Sequence, residues 1–174
     1  MKAVILAGGK GARLAPYTKI LPKPLMPIGD MPILEILLHQ MKKAGISEVI
    51  LTVGHLAELV RVFFEDGERF GLSIDYSVED KPLGTAGPLS LVAPSLNETF
   101  LVANGDILTT LNLKDLVSAH KQSGAIATIA SHIRQVNIDL GVLQVDGSDE
   151  LTDYVEKPTF DYLCLLYTSP SPRD

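Results

Sequence analysis

The stretch Leu6-Ala7-Gly8-Gly9-Lys10-Gly11-Ala12-Arg13-Leu14 directly follows an apolar run, and its residue types suit anion binding. Three glycines remove Cβ atoms, so backbone N–H groups can converge on an anion and the chain can take positive φ. Arg13 adds a planar guanidinium that pairs with phosphate oxygens through two bonds. The spacing fits neither common template. Leu14 stands where G-x-G-x-x-G needs its last glycine, and no Gly-Lys-Ser/Thr completes a P-loop. Taken alone, the glycines could equally form a structural turn.

The proline-rich segment after Leu14 favours the anion reading. Pro16, Pro22, Pro24, Pro27 and Pro32 place five of the 11 prolines within 17 residues. Such a segment is neither a helix interior nor a central strand. Prolines stiffen it before any ligand docks, so less ordering entropy is lost on binding. Lys23, between Pro22 and Pro24, is a point charge on a rigid mount. A long, stiff, cationic loop beside a glycine turn suits a polyphosphate.

Further along, Phe100-Leu101-Val102-Ala103-Asn104-Gly105-Asp106 is an apolar strand ending in a carboxylate. Asp106 could cap the next segment, or it could ligate Mg²⁺, which prefers carboxylate oxygens and bridges to substrate phosphates. Pro82-Leu83-Gly84-Thr85-Ala86-Gly87 is a second small-residue turn ahead of a helix, with a turn plus cap as the plain alternative. Val155-Glu156-Lys157-Pro158 ends a candidate hairpin, where a lone lysine is ordinarily solvated. His39, His55, His120 and His132 share no metal-ligand spacing. No serine or cysteine stands in a G-x-S-x-G or Cys/His context, which argues against acyl transfer.

These residues need elements to position them. Short apolar runs predict buried strands at Ala3–Leu6, Glu48–Val53, Ile74–Val78, Phe100–Asn104 and Ala125–Ala130. Leu34, Leu37, Leu38 and Met41 follow Pro32 at helical spacing, as do Leu56, Leu59, Val60, Phe63 and Phe64. Leu113, Leu116 and Val117 mark a helix ending near Gly124, and all these stripes read as core. The alternation predicts an α/β domain with a mainly parallel sheet, whose ligands bind at the carboxyl ends of its strands. After Ser131, Val142–Val145 and Leu151–Val155 flank a polar turn and predict a hairpin.

The 174 residues are 46% hydrophobic and 21% charged, which excludes disorder and fibrous folds. No apolar run approaches a membrane span or forms a signal peptide. The net charge of -6 argues against a nucleic-acid binder. Residues 1–29 nevertheless hold five basic residues and no acid, consistent with a local anion site. One cysteine cannot build a disulfide framework and points to a reducing, cytoplasmic compartment.

The two-part pattern G-G-x-G-x-R-L-x-P, then P-K-P-L-x-P-[IV], resembles the signature of the sugar-1-phosphate nucleotidylyltransferases (NDP-sugar pyrophosphorylases). Residues 1–163 are similar to that family throughout. The resemblance implies a Rossmann-like three-layer α/β/α fold with a mainly parallel sheet and an added β-hairpin. It implies a Mg²⁺-dependent enzyme that joins a sugar 1-phosphate to a nucleoside triphosphate, giving an NDP-sugar and pyrophosphate. Leu6, Ala7, Gly8, Gly9 and Gly11 would bind the nucleotide, and Glu79, Gly84 and Thr85 would lie at its base and ribose. Arg13 would hold the leaving phosphates, Lys23 the α-phosphate region and Asp106 the metal. Gly141 would admit the sugar, Glu156 would accept from a sugar hydroxyl, and Lys157 would contact the sugar phosphate. Ala12 departs from the family's usual Thr or Ser. The resemblance leaves base and sugar identity open.

A catalytically silent nucleotide-sugar-binding regulatory domain on the same scaffold is the competing reading, and the retained charged residues argue against it. A dinucleotide-binding oxidoreductase is disfavoured by the failed glycine fingerprint. Residues 164–174, CLLYTSPSPRD, match the in-frame translation of a common transposase sequencing adapter. The native sequence is therefore expected to stop being represented after Leu163, within an incomplete nucleotidyl transferase domain. The family's second metal-binding Asp, more of its sugar pocket and its homo-oligomer contacts would then lie further on, and this piece alone would turn over poorly.

Overall fold

A computed structural model describes residues 1–79, 81 and 83–165. They form two compact units, divided after Ile126.

The first unit is built on strand β1 (Lys2–Leu6). The proline-rich segment comes next as three short 3₁₀ turns, then β2 (Pro27–Ile28) and β3 (Met31–Pro32) pair into a small antiparallel ribbon. Helix α1 (Ile33–Lys43) is followed by β4 (Glu48–Val53), α2 (Ala57–Phe64), β5 (Ser73–Val78), α3 (Pro88–Val92), β6 (Leu101–Asn104) and α4 (Leu113–Ser123). The main sheet has the order β5-β4-β1-β6, with every pairing parallel. Parallel sheets are covered on both faces, and the central strands β1 and β4 are; the edge strands β5 and β6 are less so, and the strand expected as buried at Phe100–Asn104 leaves Phe100 and Val102 exposed. Val4 and Ile50 sit side by side on the face that packs against Val92 of α3, with Leu6 and Leu89 at its edge. Ala3, Ile5, Val49 and Leu51 point to the opposite face and are equally buried. The result is a three-layer α/β/α arrangement.

Helix α1 buries its whole predicted stripe, while α2 and α4 bury part of theirs: in α4 Leu113 is buried and Leu116 and Val117 are half-buried. In α1, Leu34, Leu37, Leu38 and Met41 are all at most 1% exposed. In α2, Ala57, Val60 and Phe64 are buried while Leu59 is 42% exposed. Leu56 takes φ 57° as the N-cap, so the helix starts one residue later than its apolar stripe and rotates Leu59 outward. Asn112 caps α4 by accepting from the Lys114 N–H, and Gly124 ends it at φ 63°.

The second unit contains β7 (Ser131–Asn137), β8 (Val142–Val145), β9 (Leu151–Val155) and β10 (Thr159–Leu165). The predicted hairpin forms as β8 and β9, a two-stranded antiparallel sheet of its own. Its turn is held by Asp146, whose carboxylate accepts from the Ser148 hydroxyl and from the N–H groups of Ser148 and Glu150. The buried strand expected at Ala125–Ala130 is absent. Those residues are irregular, Ile126 and Ile129 are exposed, and the strand begins at Ser131. An apolar run becomes a strand only where a partner ladder exists, and β10 offers one to residues 131–137 alone. Cys164 and Leu165 close that ladder opposite His132 and Ser131; residues 166–174 lie outside the described residues. Among the described residues, no helix is long and apolar enough to cross a membrane.

Candidate functional site

The chain runs from β1 to its neighbour β4, outward to β5, and then returns to β6 on the other side of β1. The order reverses between β1 and β6, the place where open α/β sheets bind ligands, outside the strands' carboxyl ends. Two features meet that gap: the glycine loop leaving β1 and the Gly105-Asp106 pair leaving β6. The ladder carries them there without a break. Ala7 N–H donates to Thr52 O at 2.8 Å, and Gly105 N–H donates to Leu6 O at 2.8 Å.

Close approach of backbone explains the loop's glycines. A Cβ on Gly8 would collide with the Glu79 carboxylate, which is brought beside it by the bond from Glu79 N–H to Val53 O (2.9 Å). Gly54, the first residue after β4, lies so near that a Cβ there would meet the Gly8 carbonyl oxygen at 3.0 Å. Gly11 has φ 60°, the left-handed region that favours glycine. The N–H groups of Gly8, Gly9 and Lys10 have no acceptor among the described residues. Consecutive free donors of this kind form an anion-binding concavity.

Arg13 sits in the 3₁₀ turn Ala12–Leu14, exposed, with no ion pair or hydrogen bond among the described residues. Lys23 begins the turn Lys23–Leu25, whose Pro24 and Leu25 are buried and anchor it. The Lys23 ammonium contacts Asp106 Oδ2 directly, with the two side chains 35% and 21% exposed. Lys23 and Asp106, expected separately to handle phosphate and metal, are thus brought together. The Asp106 carboxylate stands just past the end of β6 and is part-buried. Among the described residues no group of three or more His, Cys, Asp or Glu could cage a cation. At this gap the described residues offer a divalent cation one carboxylate, Asp106, already paired with Lys23; Mg²⁺ can be held through one or two carboxylates, with phosphates and water completing its shell.

Gly84 takes φ 81° in the exposed turn ahead of α3, and the Leu83 N–H donates to Glu79 Oε2 at 3.3 Å, tying that turn to the carboxylate beside Gly8. Pro82, expected to open this turn, lies outside the described residues, as does Asp80. In the second unit, the space above Gly141 is filled by the Tyr154 ring, whose atoms a Cβ would meet at 2.5–2.9 Å. The Tyr154 hydroxyl donates to Glu156 Oε2, and this bond pushes the phenol pKa above its ordinary value. Lys157 Nζ pairs with Asp139 Oδ1 at 2.9 Å, on an open surface where such pairs are weak. Lys157 and Glu156 therefore already have partners in the absence of substrate.

The sequence alone assigns no role to Gly54, Gly105, Thr18 or His55. A glycine directly after each of two apolar strand runs is the available signal for the first two.

The family model described as nucleotidyl transferase matches residues 2–165. The chain is 38% identical to a UTP–glucose-1-phosphate uridylyltransferase from Synechocystis, over 92% of this chain and 45% of that protein. It is 40% identical to a mannose-1-phosphate guanylyltransferase catalytic subunit beta from Danio rerio, over 91% of this chain and 45% of that protein. The chain thus spans about half the length of the curated relatives it matches. The crystal structure of HddC from Yersinia pseudotuberculosis complexed with GMP-PN superposes with a TM-score of 0.62 at 26% identity, covering 92% of this chain and 72% of that one.

Proposed function

The chain belongs to the nucleotidyl transferase family, and from that premise we propose that the protein joins a sugar 1-phosphate to a nucleoside triphosphate, releasing pyrophosphate. The observation that carries this reading is the meeting at the β1/β6 gap of a loop with free N–H donors and the Lys23–Asp106 pair; the exposed Arg13 follows in the turn that continues this loop.

A sugar phosphate is already an anionic nucleophile, so a strong general base is unnecessary. The barrier lies in bringing two polyanions together and dispersing charge at the α-phosphorus, so positioning and electrostatics supply the catalysis. The Gly8–Lys10 N–H groups cradle the triphosphate. Arg13 holds the leaving β,γ-phosphates through two bonds, and Lys23 faces the α-phosphate. Glu79, with the Gly84-Thr85 turn, borders the base and ribose. Gly141, Glu156 and Lys157 serve the sugar phosphate, Lys157 exchanging Asp139 for the ligand. Asp106 would hold Mg²⁺, which when bound would neutralise phosphate charge. The protein acts in the cytoplasm on these small molecules, not on nucleic acid or membranes, and assembles as a homo-oligomer when full-length.

The names of the relatives point first to uridine or guanosine nucleotides with glucose or mannose 1-phosphate. Mixing full-length protein with UTP, GTP, dTTP or CTP, each crossed with glucose, mannose and heptose 1-phosphates, tests this. Pyrophosphate release with one pairing is expected. Tight nucleotide-sugar binding with no pyrophosphate from any pairing would overturn transfer.

A further inference from the structure

Thr18 is one of two buried polar residues among those described, at 4% exposure, although it sits in a polar, proline-rich loop. Its hydroxyl donates to the Gly11 carbonyl at 2.9 Å. The Leu14 N–H donates to the same oxygen at 2.9 Å, so both lone pairs of that carbonyl are engaged. The Thr18 methyl lies against Gly11, where a Cβ would meet Cγ2 at 2.8 Å. Thr18 is itself held: its carbonyl accepts from His55 Nε2 at 3.1 Å. A carbonyl only accepts, so the Nε2 position carries the hydrogen. His55 directly succeeds Gly54, whose backbone packs on Gly8.

The C=O and N–H of a trans peptide point in opposite directions. Fixing the Gly11 carbonyl toward Thr18 therefore aims the Ala12 N–H the other way. If this peptide turned over, a carbonyl oxygen would replace a donor in a loop meant for an anion. Gly11 at φ 60° has the freedom to allow that turn, and the two bonds to its oxygen oppose it. We propose that Thr18, backed by His55, is a positioning residue that holds the Gly11–Ala12 peptide in its anion-binding orientation. This rests on the reading of the glycine loop as the triphosphate site. Neither residue touches the reacting atoms; both act through the loop.

The test is calorimetric titration of full-length protein with inorganic tripolyphosphate, which needs neither turnover nor the correct base. Thr18→Val keeps the shape and removes the hydroxyl, and it should weaken binding about tenfold, the loss expected for one hydrogen bond. Thr18→Ser restores the hydroxyl and should bind within about threefold of wild type. Amide exchange at residues 11–13 should quicken in Thr18→Val while exchange in β4 stays unchanged, which a general loss of stability would not produce. Wild-type affinity in Thr18→Val, with wild-type protein binding normally, overturns this inference alone. Failure of wild-type protein to bind tripolyphosphate overturns the phosphate-loop reading and this inference with it. Should Thr18→Val not fold, His55→Leu at an exposed side chain decides: weaker binding supports the brace, and unchanged binding overturns it.

Discussion

Lys23 and Asp106 are 83 residues apart in sequence, yet the ammonium of one touches the carboxylate of the other across the β1/β6 gap. The pair is part-exposed, so its net contribution to stability is about 0.5–1 kcal/mol after solvent screening. Its contribution to catalysis should be much larger. Lys23→Met and Asp106→Asn should each lower turnover at least about a hundredfold, while a double-mutant cycle on urea denaturation returns a coupling of about 1 kcal/mol or less. A stability coupling near 3 kcal/mol with turnover intact would make the pair a structural tie and nothing more.

Arg13 offers the cleanest separation of folding from function. Its side chain is exposed and has no partner among the described residues, so Arg13→Ala should leave the unfolding free energy within about 0.5 kcal/mol. The same change should cost several hundred-fold in kcat/KM, about 3–4 kcal/mol of transition-state stabilisation. Parallel denaturation and pyrophosphate-release measurements check both halves.

The glycines of the loop should not respond alike. Gly9→Ala meets nothing within 4 Å and should leave stability unchanged. Gly11→Ala combines φ 60° with a 2.8 Å approach to Thr18 Cγ2, a strain of about 1–3 kcal/mol. Gly8→Ala drives a methyl into the Glu79 carboxylate, which must swing away and release the Leu83 N–H. Thermal melts should rank the variants Gly9→Ala most stable and Gly11→Ala least. A melt for Gly11→Ala equal to wild type would show that the loop is loose in solution.

How much of the fold and site was legible beforehand depended on range. The strands Ala3–Leu6 and Glu48–Val53 announced themselves because both faces are buried and the runs are therefore uninterrupted. Ala125–Ala130 has the same local character but no partner ladder, and pairing is a property of the whole chain. The types of Lys23 and Asp106 were readable from their neighbours; their contact was not, because it depends on the crossover that returns β6 to the side of β1. Thr18 gave no signal at all. A lone threonine among prolines reads as solvated loop, and only the fold turns its hydroxyl onto Gly11.

Tyr76 supplies a prediction in pH. Burial pushes its phenol up to about 12, only partly opposed by Arg61, whose guanidinium lies 5.2 Å from the ring centroid. The neutral hydroxyl donates to the Glu65 carbonyl at 2.7 Å, a bond the phenolate cannot make. In the unfolded chain the phenol ionises near its ordinary value of about 10. The folded state therefore disfavours the charged form, and the stability Tyr76 contributes is fully present below pH 10 and is lost as pH rises from 10 toward 12. Denaturation midpoints measured across that range should fall more steeply for wild type than for Tyr76→Phe. The variant should also be about 1 kcal/mol less stable at pH 7, having lost the bond to Glu65. Parallel curves for the two proteins would show that Tyr76 ionises equally easily in both states.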